Sequence, residues 1–451
     1  MGGPLAGLRD LVEFAAGLRW ESIPPAVRER AKLTILDLVG ANLAGSLDPG
    51  MEGLSSHLAA HPGRATAIGT RVRTAAEGAA LFNGAATVAL ELDEGNQFAR
   101  AHPGAHVWPA VLAVAEEEGM PGSAVLTAFI AGYEVGARVA AAFTLKRAVH
   151  PHGSACAVGA AAALSHLWGY SPEQMEGALH LAASLVVPSD WGAALAGATV
   201  RNLFTGVALR NAILATRSIA WGFTHHPAAL PTVLGEILGD PTHPEILTQG
   251  LGATWYVARN YFKMHACCQY LHSTLDAVME ILRRRDPSPE EVAGITVETY
   301  NLAARLTNPA PETPLAAKFS IPYAVAAALT LRETGPEAFG LRNVHNPTIR
   351  SLASRVRVVE DPRLTAMLPE ARPARVTITL ATGEELVEEC FQSRGLADNP
   401  FTPAELEEKF LRLSTPVIGD AAVQAREAVW RLEALPHMHA LTDHLVARRD
   451  G

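Results

Sequence analysis

The chain has 451 residues, 49% hydrophobic and only 18% charged, which suits a large buried core and excludes an intrinsically disordered chain. With 37 Lys and Arg against 46 Asp and Glu the net charge is −9, and no basic run offsets it, so a nucleic-acid footprint is excluded. Cysteines 156, 267, 268 and 390 form no CxxC pattern or disulfide framework, and MGGPLAGLRDLVEF has no apolar stretch of signal-peptide length, so a soluble cytoplasmic protein is expected.

Taken in order, residues 4–19 and 26–45 read as helices, the second starting after Pro24-Pro25 and placing Ala31, Ile35, Leu38 and Val39 at helical spacing. Ranges 77–91, 107–118, 122–143, 153–168, 172–185 and 201–221 continue the pattern, rich in Ala and Gly and without strand alternation. Alanine favours helix, and small side chains let helices approach closely. The longest apolar run, 124–143, contains Glu134 and Arg138, which marks a core helix rather than a membrane span. Residues 1 to about 260 are therefore expected to be all-α.

After Pro287 the period changes to two, at 295–300, 355–359 and 375–380. A turn at Thr382-Gly383-Glu384 and a partner at 385–389 make the last of these a β-hairpin. A helix at 320–333 completes a small α+β unit, and helical periodicity returns from Thr402 and again over 421–434. The expected fold is mainly α: a helical body of residues 1–262 and 400–451, with a smaller α+β lid, 263–399, inserted before the C-terminal helices. Ligands commonly bind at such junctions.

Four stretches could carry chemistry. The first, ELDEGNQFARAHPGAHVWP at 91–109, sets Glu91, Asp93, Glu94, His102 and His106 on one loop between apolar helices. A solvated loop with a Pro-Gly turn uses the same residues, and the sequence leaves both readings open. In the second, His150-Pro151-His152-Gly153-Ser154 precedes an Ala-rich run. A polar turn at a helix start suits an anion, and a histidine there can serve as acid or base. The third stretch contains Arg201, which can grip a carboxylate with two hydrogen bonds but cannot exchange a proton. The fourth, YFKMHACCQYLH at 261–272, holds one of only five lysines, Lys263. Its His265, Cys267, Cys268 and His272 raise a zinc reading, but adjacent cysteines are poorly placed to chelate one ion, so no metal is expected. GxGxxG after a strand, P-loop and HExxH patterns are missing, so a nucleotide or zincin site is not expected either.

In this order the stretches resemble the MmgE/PrpD family, which includes 2-methylcitrate dehydratase, cis-aconitate decarboxylase and iminodisuccinate epimerase. The acidic cluster followed by His102-Pro103-Gly104 resembles its first signature, and HPHGSACAVGAAAA an HPTG-like motif whose histidine falls on His150. Residues 199–206 resemble a K-x-L/F-x-x-G segment, with Arg201 where lysine is usual in the dehydratases and decarboxylases. Lys263 matches the family's catalytic-site lysine. A further family histidine falls nearest Cys268, with His265 and His272 close by. AKFSIPY at 317–323 resembles a segment whose tyrosine, here Tyr323, points from the lid into the cleft.

The resemblance implies a cofactor-free lyase that abstracts a proton next to a carboxylate of a small di- or tricarboxylate. A dehydratase of the 2-methylcitrate type comes first; an epimerase of the iminodisuccinate type or a cis-aconitate-type decarboxylase is the alternative. It assigns His102 and His150 as acid or base, Lys263 as acid or charge stabiliser, Arg201 as carboxylate anchor and Asp93 as the group orienting a histidine. Tyr323 would close the site, with His265, Cys268 and His272 as substrate contacts. A homodimer is implied, and neither nucleic acid nor membrane is expected as a partner.

Overall fold

The structure is a computed structural model and describes residues 5–448. It is mainly helical. The first core is built from helices Leu8–Gly17, Pro25–Gly45, Ala76–Ala89, Trp108–Glu118, Gly122–Ala142, Ala157–Leu167, Pro172–Ser184 and Val200–Ala220. The helix expected from residue 153 begins only at Ala157, because Gly153 has φ 85°, a left-handed conformation that a helix cannot contain. Gly122–Ala142 is long and apolar enough to cross a membrane, but 94% of its apolar window is buried against neighbouring helices.

Two helix crossings bring backbones together through glycine. A Cβ on Gly132 would meet the Gly159 carbonyl at 2.5 Å, and one on Gly206 the Leu81 carbonyl at 2.1 Å. The second crossing joins Ala76–Ala89 to Val200–Ala220, and it matters for the site described below.

The expectation of an all-α unit over residues 1–260 needs correction. Pro62–Thr66 pairs with Arg73–Thr74, and Phe143–Leu145 with Gly239–Thr242, both antiparallel. Strands of two to five residues are too short to show alternation, and Gly-Asp-Pro-Thr has no strand signature. The short helix Met51–Ala59 also goes beyond the elements read from the sequence.

The later residues form a second core around a four-stranded sheet. In it Val356–Glu360, Val292–Thr299, Ala374–Leu380 and Glu385–Cys390 lie side by side in that order. Val292–Thr299 runs parallel to the first and antiparallel to the third, with Ile295 opposite both Val356 and Ile378. Val297, Val376 and Ile378 are fully buried, in one cluster with Leu275, Val278 and Ile281 of His272–Arg284 and with the helix Ile321–Leu331.

A capping box between Thr402 and Glu405 then starts Pro403–Ile418. This helix returns to the first core and lies along Pro25–Gly45. There Lys409 Nζ donates to Asp37 at 2.6 Å and to the Leu92 carbonyl at 2.9 Å, so the last part of the chain props the acidic loop.

Candidate active site

The glycine crossing sets the first contact of the site. It holds the end of Ala76–Ala89 against the start of Val200–Ala220, and Arg201 there donates to the Val88 carbonyl and pairs with Glu91. Glu91 is buried with φ 55°, a conformation non-glycine residues rarely adopt, so its carboxylate is held in place by its surroundings. Burial lowers the Arg201 pKa to about 9, still above neutrality, so the guanidinium keeps its charge beside Glu91. The fork expected to grip a substrate is thus engaged by a carboxylate of the protein itself.

A second contact arises from backbone pairing. Gly95 and Tyr261 exchange both main-chain hydrogen bonds, at 3.1 and 2.7 Å, as an isolated antiparallel bridge. Antiparallel register sets the residue two before one partner opposite the residue two after the other, here Asp93 opposite Lys263. Lys263 Nζ lies 3.5 Å from Asp93 and 3.6 Å from Glu91, and both Lys263 and Asp93 are fully buried. Burial would raise the Asp93 pKa, but Lys263 and His102 outweigh it and hold the carboxyl well below its usual range.

Four histidines cluster in front of this charge pair. His102 Nδ1 is 2.7 Å from both the Glu94 carbonyl and Asp93 Oδ2; the carbonyl takes the aligned bond and the carboxylate acts by its charge. Two acceptors at Nδ1 fix the proton there and leave Nε2 free to work as a base. His152 is the centre of the group: its ring stacks on His102 at 4.5 Å, His150 at 5.1 Å and His106 at 5.3 Å. Its Nδ1 meets Thr205 Oγ1 at 3.2 Å, while its buried Nε2 has no partner. His106 donates to the His102 carbonyl and accepts from Gly153 N, so it is a neutral brace. Burial pushes His106 down to about 4, His150 to about 3 and His152 well below the ordinary value. Burial raises Glu94 to about 7; its oxygens accept from Gly104 N and the Tyr133 hydroxyl.

A small cavity of about 50 Å³ opens where the two cores meet. The helical side supplies Glu91, His102, His150, His152, Trp191 and Arg201; the other side supplies Tyr261, Cys268, Tyr270, Phe319 and Arg372. Burial pushes Tyr261 up to about 12 and also raises Cys268, so neither is ionised at neutral pH. Arg372 carries no ion pair among the described residues and lies over the Tyr270 ring at 5.5 Å. Asp93 and Lys263 stand one layer behind the wall. Lys318 and Lys409 are also buried nearby, with Lys318 donating to the Ala89 carbonyl and lowered by burial to about 8.

Three residues expected at the site lie elsewhere. The Tyr323 hydroxyl donates to the Ala338 carbonyl at 2.7 Å inside the second core, against Phe339, so it does not reach the cleft. His265 bridges Thr334 and Asp276, and His272 packs edge-on against it with Nε2 near the Cys267 carbonyl. These two buttress the turn that carries Cys268. His152 and Arg372, in contrast, belong to the site and go beyond the residues assigned from sequence. His152 was visible in the same motif as His150 but not distinguished from it; nothing around Arg372 marks it.

For a metal, the group among the described residues whose ligand atoms converge is Asp93, His102 and His152, all within 4.8 Å of one another, and not the His265–His272 run. A carboxylate and two imidazoles suit a divalent ion. Lys263, however, already supplies a cation beside Asp93.

Helical and α+β cores thus meet at a histidine-rich cavity with lysine and arginine at hand. Residues 9–231 match the MmgE/PrpD N-terminal domain and residues 265–434 the MmgE/PrpD C-terminal domain, and the chain belongs to this family. It is 26% identical to the cis-aconitate decarboxylase-like protein oryM of Aspergillus oryzae over 93% of this chain and 92% of that one. Two cis-aconitate decarboxylases of Aspergillus terreus are similar: one at 25% over 93% of this chain and 91% of its own length, the other at 29% over 61% and 60%. Members of this family act on carboxylates.

Proposed function

We propose that the protein is a lyase that moves a proton at a carbon next to a carboxylate of a small polycarboxylate, with decarboxylation of an unsaturated tricarboxylate as its reaction. The observation that carries this reading is the Asp93-backed His102, its Nε2 free, sharing a cavity with the unpaired Arg372 guanidinium. Arg372 grips one carboxylate. As CO₂ leaves, the electron pair of the broken carbon–carbon bond stays on the substrate and spreads into the remaining unsaturated carboxylate. Protonated His102 then delivers its proton to carbon, and Asp93 with Lys263 fixes its orientation and balances the charge. His152 and His150, neutral through burial, line the path without competing for that proton.

Dehydration, the first expectation from the sequence, would use His102 in the opposite sense, taking a proton while hydroxide departs. The names of the three relatives favour decarboxylation over it, and over epimerisation. In this reading residues 263–399 form a lid that brings Arg372, Tyr270 and Phe319 over the substrate. The protein works as a homodimer, a view supported by the exposed apolar residues Val200, Leu203 and Leu214 of one long helix and Trp221 at its end.

The test is proton NMR in D₂O of the purified protein with cis-aconitate, 2-methylcitrate and smaller dicarboxylates. Loss of CO₂ with one deuteron incorporated is expected with the unsaturated tricarboxylate. If no polycarboxylate loses CO₂ or water or exchanges a proton, the proposed function is wrong.

A further inference from the structure

A second cavity of about 500 Å³ lies beside the inner one of about 50 Å³. Arg100, Ala101, Pro151, Trp191 and Tyr270 line both, so the two cavities are neighbours, the inner one narrow and ionisable. The outer part is walled mainly by apolar side chains, among them Ala140, Phe143, Leu145, Leu195, Leu302 and Leu306. Of its polar residues, Ser154 is buried and donates to the Pro151 carbonyl. Lys146 is engaged by the Glu236 and Ile237 carbonyls, and Arg100 by Ala141 and Thr144. Arg147 and Arg305 are exposed and carry no ion pair among the described residues, so they act on the approach of an anion rather than on what fills the interior.

A compact polycarboxylate has no use for such a chamber. Its groups are all strongly hydrated, so it gains nothing against an apolar wall and occupies only the inner end. An apolar chain gains in proportion to the area it hides from water. From this mismatch in size and polarity we infer that the substrate is a polycarboxylate bearing an unbranched apolar chain, its carboxylates at Arg372 and His102 and its chain running past Trp191 into the outer cavity. This inference rests on the reading of the inner end as a polycarboxylate site.

Calorimetric titration of the full chain with succinate and with 2-alkylsuccinates from methyl to hexyl tests it without turnover. The dissociation constant should fall by about fourfold per methylene, the gain of hiding one such group from water. Ala140→Phe, which fills part of the outer cavity, should flatten that slope. Equal affinity across the wild-type series would overturn the chain site while leaving the carboxylate reading intact, and so would an unchanged slope in Ala140→Phe. If succinate and every alkylsuccinate fail to bind, the inner site is misread and the inference falls with it. The wild-type series decides the matter even if the variant does not fold.

Discussion

Lys263 and Arg372 are both cations, but their surroundings give them different work. Lys263 lies behind the wall between Glu91 and Asp93, whereas Arg372 faces the cavity unpaired. Lys263→Met keeps the stem and removes the charge, leaving Asp93 buried without its cation, while Glu91 keeps Arg201, and weakening the anion that orients His102. Its kcat is expected to fall by at least about a hundredfold, the scale of losing a positioned acid–base group. Arg372→Gln loses a charge-assisted hydrogen bond worth roughly 1.5–3 kcal/mol, so KM should rise about ten- to hundredfold with a smaller change in kcat. Steady-state kinetics on protein shown to be folded by circular dichroism separates the two, and near-normal kcat in Lys263→Met sinks the mechanism. The pH profile gives a further check. His150, lowered by burial to about 3, is already neutral throughout the range near neutrality. Raising or lowering pH between about 5 and 8 therefore leaves its charge unchanged, and His150→Gln should not alter the shape of the profile there. A flattened profile would mean that His150 titrates after all.

At the scale of elements, Val200–Ala220 shows both what the sequence makes plain and what it hides. Its Ala-rich run reads as a helix at once, as do its neighbours, because composition alone carries that signal. Its partner across the glycine crossing does not, since nothing in the sequence says that Gly206 meets Leu81. The match of Asp93 with Lys263 was out of reach for the same reason: it depends on one backbone bridge between Gly95 and Tyr261. Tyr323 is the converse case, where a motif suggested a direction that packing against Phe339 overrides. The outer face of this helix exposes Val200, Leu203, Leu214 and Trp221, at 39–59%, with Phe223 beside it at 65%. Arg210 is also exposed on this face, between Leu203 and Leu214, and an apolar face of this kind, repeated on two copies, suits a two-fold pair. Leu203→Glu with Leu214→Glu should turn the proposed dimer into a monomer of 47.8 kDa by light scattering. A wild-type mass already at that value would remove the dimer.

For the whole molecule the decisive contact is Asp37 with Lys409, a buried pair joining the second helix to Pro403–Ile418. Burial raises the Asp37 pKa and lowers that of Lys409, and each charge opposes the shift of the other. Lys409→Met leaves an uncompensated buried carboxylate and should cost about 3–5 kcal/mol in urea unfolding. Adding Asp37→Leu should restore most of that loss, since an apolar pair of similar volume is often no worse than the ion pair. A single variant that loses less than about 1 kcal/mol, the size of an average substitution, would show the pair to be dispensable. The same pair sets a clock on synthesis. Its members are 372 residues apart, and at about 5–20 residues per second a ribosome needs roughly 20–70 s between them. Through that interval the acidic loop has no prop at Leu92, and Asp37 stays near water. The emerging bundle lacks this contact on its second helix until residue 409 has been made.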